Sequence, residues 1–167
     1  MPSVAIGHQI AVTPLRLAAA HASLVNGGRL VEPHVLPGDG APPKPVWPAA
    51  VAAAVRSAMV DMVELESRTW LHGVPFRYGG KSGTVQDERD PTHYTSLFVG
   101  FAPAEAPRFL ALVVADRPRG STYYGSKVCG PAVRNLLHFA LAAAGEVPPP
   151  PPLDPPSFAA IVPAGER

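Results

Sequence analysis

The chain has 167 residues, of which 47% are apolar, and its formal net charge is +1. This small charge argues against binding to nucleic acid or anionic membranes, which requires a basic excess, and the apolar fraction is too high for a disordered chain. The single cysteine, Cys129, excludes an internal disulfide and a cysteine-rich zinc module, and we expect it to be a small buried side chain. The length suggests about one globular domain.

The N-terminal part is predicted to contain two helices separated by a proline-rich loop. Thr13-Pro14 begins the first helix, with Thr13 as its N-cap, and Asn26-Gly27-Gly28 ends it. Five prolines between residues 37 and 48 exclude a helix interior or a central strand, so residues 34–47 are predicted as a loop. The second helix is predicted over residues 48–66, with an apolar face formed by Val51, Val55, Met59 and Met62.

Three strands are predicted in the next part of the chain. Residues 97–101 and 109–115 are rich in β-forming residues and joined by a short turn, so we expect them to pair as a hairpin. A further strand is predicted over residues 77–86. The hairpin strands are almost continuously apolar, which indicates a sheet covered on both faces. The predicted fold class is therefore α+β, a layered architecture of an antiparallel sheet with helices on both faces.

A third helix and a proline-rich tail complete the chain. The helix is predicted over residues 130–144, and its apolar stripe includes Leu136 and Leu137. Eight prolines from residue 148 onward predict a semi-rigid tail over residues 146–167. The tail is either a spacer or, because it contains Pro-x-x-Pro, an SH3-type ligand. The predicted organisation is a folded part, residues 1–145, followed by this tail.

The segment 79–86, GGKSGTVQ, carries the strongest indication of chemistry. On a strand, Ser82 and Thr84 share a face because side chains alternate, and together with the Lys81 ammonium they suit a carboxylate ligand. Exposed N–H groups of such a strand can also stabilise an oxyanion. The alternative is a glycine-rich edge strand with a solvated lysine. A phosphate-binding loop is excluded, because Pro75 stands where that motif requires its first glycine.

Lys81-Ser82-Gly83-Thr84 resembles the Lys-Thr/Ser-Gly motif of penicillin-binding proteins and serine β-lactamases. Further segments resemble the same family in the same order: 12–15, 26–28, 98–103, 123–125 and 130–133. The resemblance covers about residues 3–144 and is closest to the class B, monofunctional D,D-transpeptidases. It implies a partial serine β-lactamase/transpeptidase-like fold, in which this chain supplies three of five sheet strands and leaves the apolar edge of 109–115 uncovered.

The resemblance also implies a reaction and a set of site residues. In that family a serine attacks the D-Ala-D-Ala end of a peptidoglycan stem peptide, and β-lactams acylate the same serine. By this resemblance, Lys81, Ser82 and Thr84 bind the carboxylate of the substrate or the β-lactam. Gly83 permits close approach of the acyl chain, and the backbone N–H of Thr84 forms half of the oxyanion hole. No cofactor or metal is expected, since the six histidines lack ligand spacing.

The family's other two motifs are missing from the printed sequence. No serine has a lysine three residues on or an asparagine two residues on, so Ser-x-x-Lys and Ser-x-Asn are absent. We therefore expect the chain to be inactive alone and to require the N-terminal part of the transpeptidase domain, from the same or a separate chain. The alternatives are a non-catalytic module that binds peptidoglycan or a division partner, a relic, and, less favoured by the other segments, a β-lactamase-type hydrolase.

The expected cellular location also depends on the N-terminal part of the family's proteins. The resemblance implies work at the extracytoplasmic face of the bacterial cell membrane, with an N-terminal membrane anchor. The printed sequence shows neither a secretory signal pattern nor an apolar run near the ~18 residues of a membrane span. Taken literally, this chain has no membrane span of its own.

Overall fold

The structure is a computed structural model that describes residues 10–36, 40–66 and 73–151. Residues 37–39 of the predicted loop and 152–167 of the predicted tail lie outside this description. The elements follow in the order α1 (Pro14–Val25), β1 (Arg29–Leu30), β2 (Lys44–Pro45), α2 (Ala49–Glu66), β3 (Gly79–Gln86), β4 (Tyr94–Ala102), β5 (Phe109–Asp116), α3 (Gly125–Val128) and α4 (Gly130–Ala143). The three predicted helices and three predicted strands are confirmed, while β1, β2 and the short α3 are additional.

Helix α1 begins and ends at the predicted capping residues. The Thr13 hydroxyl accepts a hydrogen bond of 3.3 Å from the Arg16 N–H, and Pro14 occupies the first turn, where its missing N–H leaves no donor unsatisfied. At the other end Asn26 is the C-cap, and its N–H donates to the Ala22 carbonyl at 3.0 Å. The boundaries of this helix are therefore determined by local sequence.

The proline-rich loop contains one strand of a short antiparallel pair that the sequence did not predict. Arg29 of β1 lies opposite Pro45 of β2, and the Arg29 guanidinium donates to the Pro43 carbonyl at 2.9 Å. Proline is tolerated here because a two-stranded pair consists only of edges, where a missing N–H costs little. The loop is also attached to α1, since the Trp47 indole N–H donates to the Ser23 hydroxyl at 3.0 Å.

The main sheet is antiparallel, with strand order β3-β4-β5. The β4–β5 hairpin is confirmed, and its register places Thr95 opposite Asp116 and Ala102 opposite Phe109. Strand β4 begins at Tyr94, three residues before the predicted start at residue 97. The additional residues include Thr95 and Ser96, whose polar side chains interrupt the apolar run on which the prediction rested.

Both faces of this sheet are covered by helices, as predicted. On one face, Phe98 is in a cluster with Cys129, which lies between α3 and α4, and with Val133, Leu137 and Leu141 of α4. On the other face, Val99 and Phe101 pack with Val25 of α1 and with Met59 and Val60 of α2. Consecutive residues of β4 point to opposite faces, so burial of both explains why the strand is almost continuously apolar. The α+β layered architecture is confirmed.

Two predicted apolar positions proved to be exposed. Val51 of α2 is 46% exposed, while its neighbour Ala52 is only 1% exposed and faces the core. Leu136 of α4 is 50% exposed, whereas Leu137 is 1% exposed. In α2 the buried face includes small alanines, which the apolar pattern did not distinguish from exposed ones. In α4 periodicity could not decide which of two adjacent leucines is buried. Cys129 is fully buried as expected, and this burial raises the pKa of its thiol.

The first residues of the predicted tail contact the folded part. Glu146 forms an ion pair with Arg108, and Val147 packs against the cluster around Phe98. Nε2 of the buried His138 lies 2.9 Å from the Pro148 carbonyl oxygen. A domain boundary at residue 145 therefore stays a prediction. Within the described ranges, no helix is long and apolar enough to cross a membrane.

Candidate functional site

Strand β3 lies at an edge of the main sheet and carries all the predicted site residues. Among the residues that the structure describes, it pairs only with β4, and Ser82 is opposite Phe98 while Thr84 is opposite Ser96. Paired residues of an antiparallel ladder share a face, so Ser82 and Thr84 point to the same side, as predicted. Both side chains are half-buried. Their hydroxyls therefore lie on the face covered by the C-terminal helices.

The direction of the backbone N–H groups of β3 follows from the register. Just beyond the strand, the Asp87 N–H donates to the His93 carbonyl at 2.9 Å, and this pair continues the β3–β4 register. Hydrogen-bonded and non-hydrogen-bonded pairs alternate along an antiparallel ladder. Ser82 and Thr84 therefore belong to non-hydrogen-bonded pairs, and their N–H groups point away from β4, toward the open edge of the strand.

Lys81 adds a positive charge beside this edge. It points to the opposite face from Ser82 and Thr84, and it is exposed. Its ammonium donates to the Ser82 carbonyl at 2.5 Å, so the charge is held close to the strand. A flexible exposed lysine can reorient toward an anion at modest cost, because its contact is with a single backbone oxygen.

The structure supplies a packing reason for glycine at position 83. A Cβ atom built on Gly83 would lie 2.9 Å from Cγ of Leu97, which is its partner across the β3–β4 ladder. Leu97 therefore occupies the space that a side chain would need. Packing within the sheet therefore requires glycine at position 83 even without a ligand. The role of Gly83 in admitting an acyl chain stays a prediction.

Helix α3 is anchored to the site strand through a buried glycine. The Gly125 N–H donates to the Thr84 hydroxyl at 3.0 Å, and the Ser96 hydroxyl donates to the Tyr123 carbonyl. A hydroxyl has one donor and two acceptor positions, so Thr84 retains its own O–H for a ligand. Sequence reasoning missed Ser96, because a serine within an apolar strand carries no distinguishing local signal.

Three tyrosines form a continuous aromatic surface beside the C-terminal end of β3. The rings of Tyr94 and Tyr123 stack at 4.0 Å between centroids, and Tyr123 and Tyr124 are 4.8 Å apart. Tyr94 is opposite Gln86, the last residue of β3. A hydrogen bond with Tyr124 and the nearby Tyr94 phenol raise the pKa of Tyr123 above its usual value.

This arrangement can bind an extended chain that ends in a carboxylate. Two hydroxyls, an ammonium and outward-facing N–H groups are donors, and such donors suit a negatively charged partner. The open edge can also pair with a peptide as an additional strand. Within the described ranges, no group of three or more His, Cys, Asp and Glu side chains is arranged to hold a metal ion.

Comparison with protein families identifies the fold to which this edge belongs. The family described as "Penicillin binding protein transpeptidase domain" matches residues 1–138. The chain belongs to this family. The transpeptidase family match includes every residue of β3, so the Lys81-Ser82-Gly83-Thr84 segment lies well within it.

Individual relatives agree with the family match. The chain is 29% identical over 163 residues to stage V sporulation protein D of Bacillus subtilis, covering 87% of this chain and 25% of the relative. It is 31% identical over 143 residues to the peptidoglycan D,D-transpeptidase FtsI of Escherichia coli, covering 78% of this chain and 23% of that protein. The transpeptidase domain of Burkholderia pseudomallei penicillin-binding protein 3 superposes with a TM-score of 0.69 at 29% identity, over 87% of this chain and 46% of that one.

The chain spans between 23% and 46% of the length of these relatives. It therefore corresponds to one part of the transpeptidase proteins that it matches. The family and the fold are established on this basis, whereas the activity of the whole protein, its substrate and the roles of individual residues are proposals.

Proposed function

We propose that this chain forms the carboxylate-binding and oxyanion-stabilising edge of a peptidoglycan D,D-transpeptidase. The supporting observation is the open edge of β3, where the Ser82 and Thr84 hydroxyls share one face and the N–H of Thr84 points outward. The substrate is a stem peptide that ends in D-Ala-D-Ala, and β-lactams bind at the same edge. The reaction is serine acyl transfer, which joins two stem peptides.

Each group at the edge has a separate task in this proposal. The Lys81 ammonium and the hydroxyls of Ser82 and Thr84 hold the terminal carboxylate of the substrate, and charge-assisted hydrogen bonds fix its position. The N–H of Thr84 donates to the carbonyl oxygen that becomes negative when the peptide bond is attacked. Such a donor stabilises the transition state more than the ground state, because the charge develops only there.

The attacking serine must come from another segment, because no serine of the printed sequence belongs to a Ser-x-x-Lys motif. We propose that the N-terminal part of a transpeptidase domain, on the same or a separate chain, supplies that serine and the second oxyanion donor. Residues 1–145 act as the C-terminal portion of that domain and residues 146–167 as a tail. The assembled enzyme works at the extracytoplasmic face of the membrane.

A non-catalytic role is the second candidate function. It is favoured by one observation: the Lys81-Ser82-Gly83-Thr84 segment of β3 is present in a printed sequence without the Ser-x-x-Lys and Ser-x-Asn motifs. In that case the edge would bind stem peptides or a division partner without cleaving a bond. Binding and acylation therefore have to be measured separately.

Binding is tested with a pair of peptides that differ only at the C-terminus. Diacetyl-Lys-D-Ala-D-Ala and its C-terminal amide are titrated into the 167-residue chain, and the dissociation constants are measured by NMR. We expect the acid to shift the amide signals of residues 81–86 and to bind about tenfold more tightly than the amide, since it forms charge-assisted hydrogen bonds. Equal affinity for the two peptides would contradict the carboxylate-binding role.

Matched variants assign this binding to the proposed residues. Lys81→Met and Ser82→Ala should each weaken binding of the acid while leaving the amide unaffected. Lys44→Met is the control, because Lys44 is an exposed lysine on β2 and outside the main sheet. An equal loss of affinity for the acid in Lys44→Met would show that the effect of Lys81→Met comes from overall charge.

Acylation is tested with fluorescent penicillin followed by intact mass measurement. The chain alone should form no covalent adduct. Co-expression with a preceding transpeptidase segment that contains Ser-x-x-Lys and Ser-x-Asn should produce an adduct on that segment, and Lys81→Met should slow its formation. A stable adduct on the isolated chain would disprove the assignment of the nucleophile to another segment. Peptide binding without any adduct in the mixture would favour the non-catalytic role.

A further inference from the structure

Ser96 is a fully buried serine beside the proposed binding edge. Its exposed fraction is 0%, and it lies opposite Thr84 across the β3–β4 ladder. The two residues form a non-hydrogen-bonded pair, in which the side chains approach closely and point to the same face of the sheet. The Ser96 hydroxyl therefore lies next to a hydroxyl that is proposed to bind the substrate.

The side chains of this pair hold the two peptide groups on either side of Tyr124. The Ser96 hydroxyl donates to the Tyr123 carbonyl, which belongs to the peptide group before Tyr124. The Thr84 hydroxyl accepts a hydrogen bond of 3.0 Å from the Gly125 N–H, which belongs to the peptide group after it. Two hydroxyls of one cross-strand pair therefore fix both the position and the orientation of residues 123–125.

Ser96 also contacts the other end of α3. Its backbone carbonyl accepts a hydrogen bond of 3.4 Å from the thiol of Cys129, the C-cap of α3. The helix has only four residues, and the side chain of its N-cap, Tyr124, makes no capping hydrogen bond. Because so short a helix is not stable by itself, its placement depends on contacts with the sheet. Ser96 supplies such a contact at each end.

The first residue of α3 rests directly on the backbones of both strands. A Cβ atom built on Gly125 would collide with the carbonyl oxygens of Leu97 and Gly83. The helix therefore has no space to shift toward the sheet and can move only away from it. The hydrogen bond between Ser96 and Tyr123 opposes that movement, and so keeps the Gly125 N–H in place.

The availability of the Thr84 proton follows from these contacts. A hydroxyl has two acceptor positions and one proton to donate, and the Gly125 N–H occupies one acceptor position. In the part of the chain that the structure describes, no acceptor takes the Thr84 proton. Threonine hydroxyls often donate to nearby backbone carbonyls instead, so a side chain held by Gly125 keeps its proton available for a ligand.

We propose that Ser96 is a positioning residue for the carboxylate-binding hydroxyl of Thr84. It holds the Tyr123 carbonyl, which fixes the Gly125 N–H, and this N–H fixes the Thr84 side chain with its proton free for the substrate. This inference rests on the proposed function, since that function assigns the substrate carboxylate to Thr84. Ser96 is fully buried and does not touch the substrate. A donor that is already oriented loses less conformational freedom on binding than one that must first be ordered.

The test measures how strongly the 167-residue chain prefers a C-terminal carboxylate. Diacetyl-Lys-D-Ala-D-Ala and its C-terminal amide are titrated into the native chain and into Ser96→Ala, and the ratio of the two dissociation constants is compared. We expect Ser96→Ala to lower the preference for the acid about threefold, as for the weakening of one hydrogen bond. An unchanged preference would overturn the positioning role.

Ser23→Ala is the matched control for loss of a buried hydroxyl. Ser23 is 2% exposed, and its hydroxyl donates to the Ala20 carbonyl at 2.7 Å. It belongs to α1, which packs on the other face of the sheet. This variant should lose stability but keep the preference for the acid. An equal fall in preference would show that the effect of Ser96→Ala comes from reduced stability, and the positioning role would be wrong.

A double mutant tests whether Ser96 acts through Thr84. Thr84→Val removes the hydroxyl, so adding Ser96→Ala in that background should cause no further fall in the preference for the acid. Independent, additive losses would contradict the proposal. Ser96→Thr keeps the buried hydroxyl and should retain the preference. Equal losses in Ser96→Thr and Ser96→Ala would assign the effect to packing alone.

The conformation of Thr84 is measured by NMR without any peptide. Three-bond coupling constants report its χ1 angle, and hydrogen exchange of the Gly125 amide reports the hydrogen bond. We expect a single rotamer and a protected amide in the native chain, with rotamer averaging and faster exchange in Ser96→Ala. Averaging in the native chain would overturn the proposal even if Ser96→Ala does not fold.

The same measurement separates this proposal from the proposed function. If the native chain binds the acid and the amide equally, the carboxylate-binding role of Thr84 is wrong. Rotamer averaging in Ser96→Ala would then still show that Ser96 holds the Thr84 side chain. An unchanged rotamer in Ser96→Ala would overturn the positioning role whether or not the chain binds the peptides.

Discussion

The N–H of Gly125 donates a hydrogen bond of 3.0 Å to the hydroxyl of Thr84, which is 41 residues earlier in the chain. This bond joins the first residue of α3 to the sixth of the eight residues of β3. It makes the position of the loop that carries Tyr123 and Tyr124 depend on one side chain of the proposed binding edge. Loss of either partner should therefore affect stability and the site together.

Thr84→Val tests this bond from the strand side. Valine has almost the same shape but cannot accept a hydrogen bond, so the buried Gly125 N–H is left without its partner. We expect the free energy of unfolding to fall by about 1–3 kcal/mol, as for other unsatisfied buried donors. Thr95→Val is the control, because the exposed Thr95 hydroxyl is 3.4 Å from Asp116 and its loss should change stability by less than about 0.5 kcal/mol. Denaturant unfolding measures both, and equal effects would contradict the prediction.

Gly125→Ala tests the same contact from the helix side. An alanine Cβ would lie 2.2 Å from the Leu97 carbonyl oxygen and 2.3 Å from that of Gly83, so α3 must move away from both strands. We expect a loss of about 1–3 kcal/mol in the free energy of unfolding, as for overpacked sites. Ser126→Ala, the next residue of α3, should be nearly neutral in thermal unfolding. A neutral Gly125→Ala variant would show that α3 is not held tightly against the sheet.

Two adjacent leucines of α4 provide a matched test of which helix face is buried. Leu137 is 1% exposed and packs under the sheet, whereas Leu136 is 50% exposed. Leu137→Ala should lower the free energy of unfolding by about 2–5 kcal/mol, because it leaves a cavity in the core. Leu136→Ala should lower it by less than about 0.5 kcal/mol. Similar losses for the two variants would indicate a different orientation of α4.

The edge formed by β5 should promote association of the isolated chain. Among the described residues β5 pairs only with β4, and its half-buried apolar side chains flank an open edge. We expect concentration-dependent association in sedimentation velocity, reduced by Val114→Lys, since a charged residue disfavours edge pairing. Ser121→Lys adds the same charge at an exposed position outside the sheet and controls for added charge. A strictly monomeric chain with cooperative unfolding would contradict this prediction.

Much of the fold could be predicted because the signals are local. The N-cap Thr13 with Pro14, the Asn26-Gly27-Gly28 end of α1 and the apolar strands of the hairpin each act on residues a few positions away. The segment around Lys81 could likewise be identified, because an alternating strand places Ser82 and Thr84 on one face wherever the strand lies. Its placement on β3 was therefore predictable, although its chemical roles stay predictions.

The errors occurred where burial depends on contacts between distant parts of the chain. Periodicity placed Val51 and Leu136 on apolar faces, but their neighbours Ala52 and Leu137 are the buried residues. The Lys44–Pro45 strand forms because Arg29 lies beside it, and no local sequence pattern predicts that pairing.

The sequence by itself therefore determined the elements, their capping and the chemical character of the β3 edge, because these depend on neighbouring residues. Only the tertiary structure decided that the N–H of Thr84 faces an open edge, that its hydroxyl holds Gly125, and that Tyr94, Tyr123 and Tyr124 form one aromatic surface. Strand register and helix packing set these relationships, and both arise from the summed burial of residues far apart in the chain.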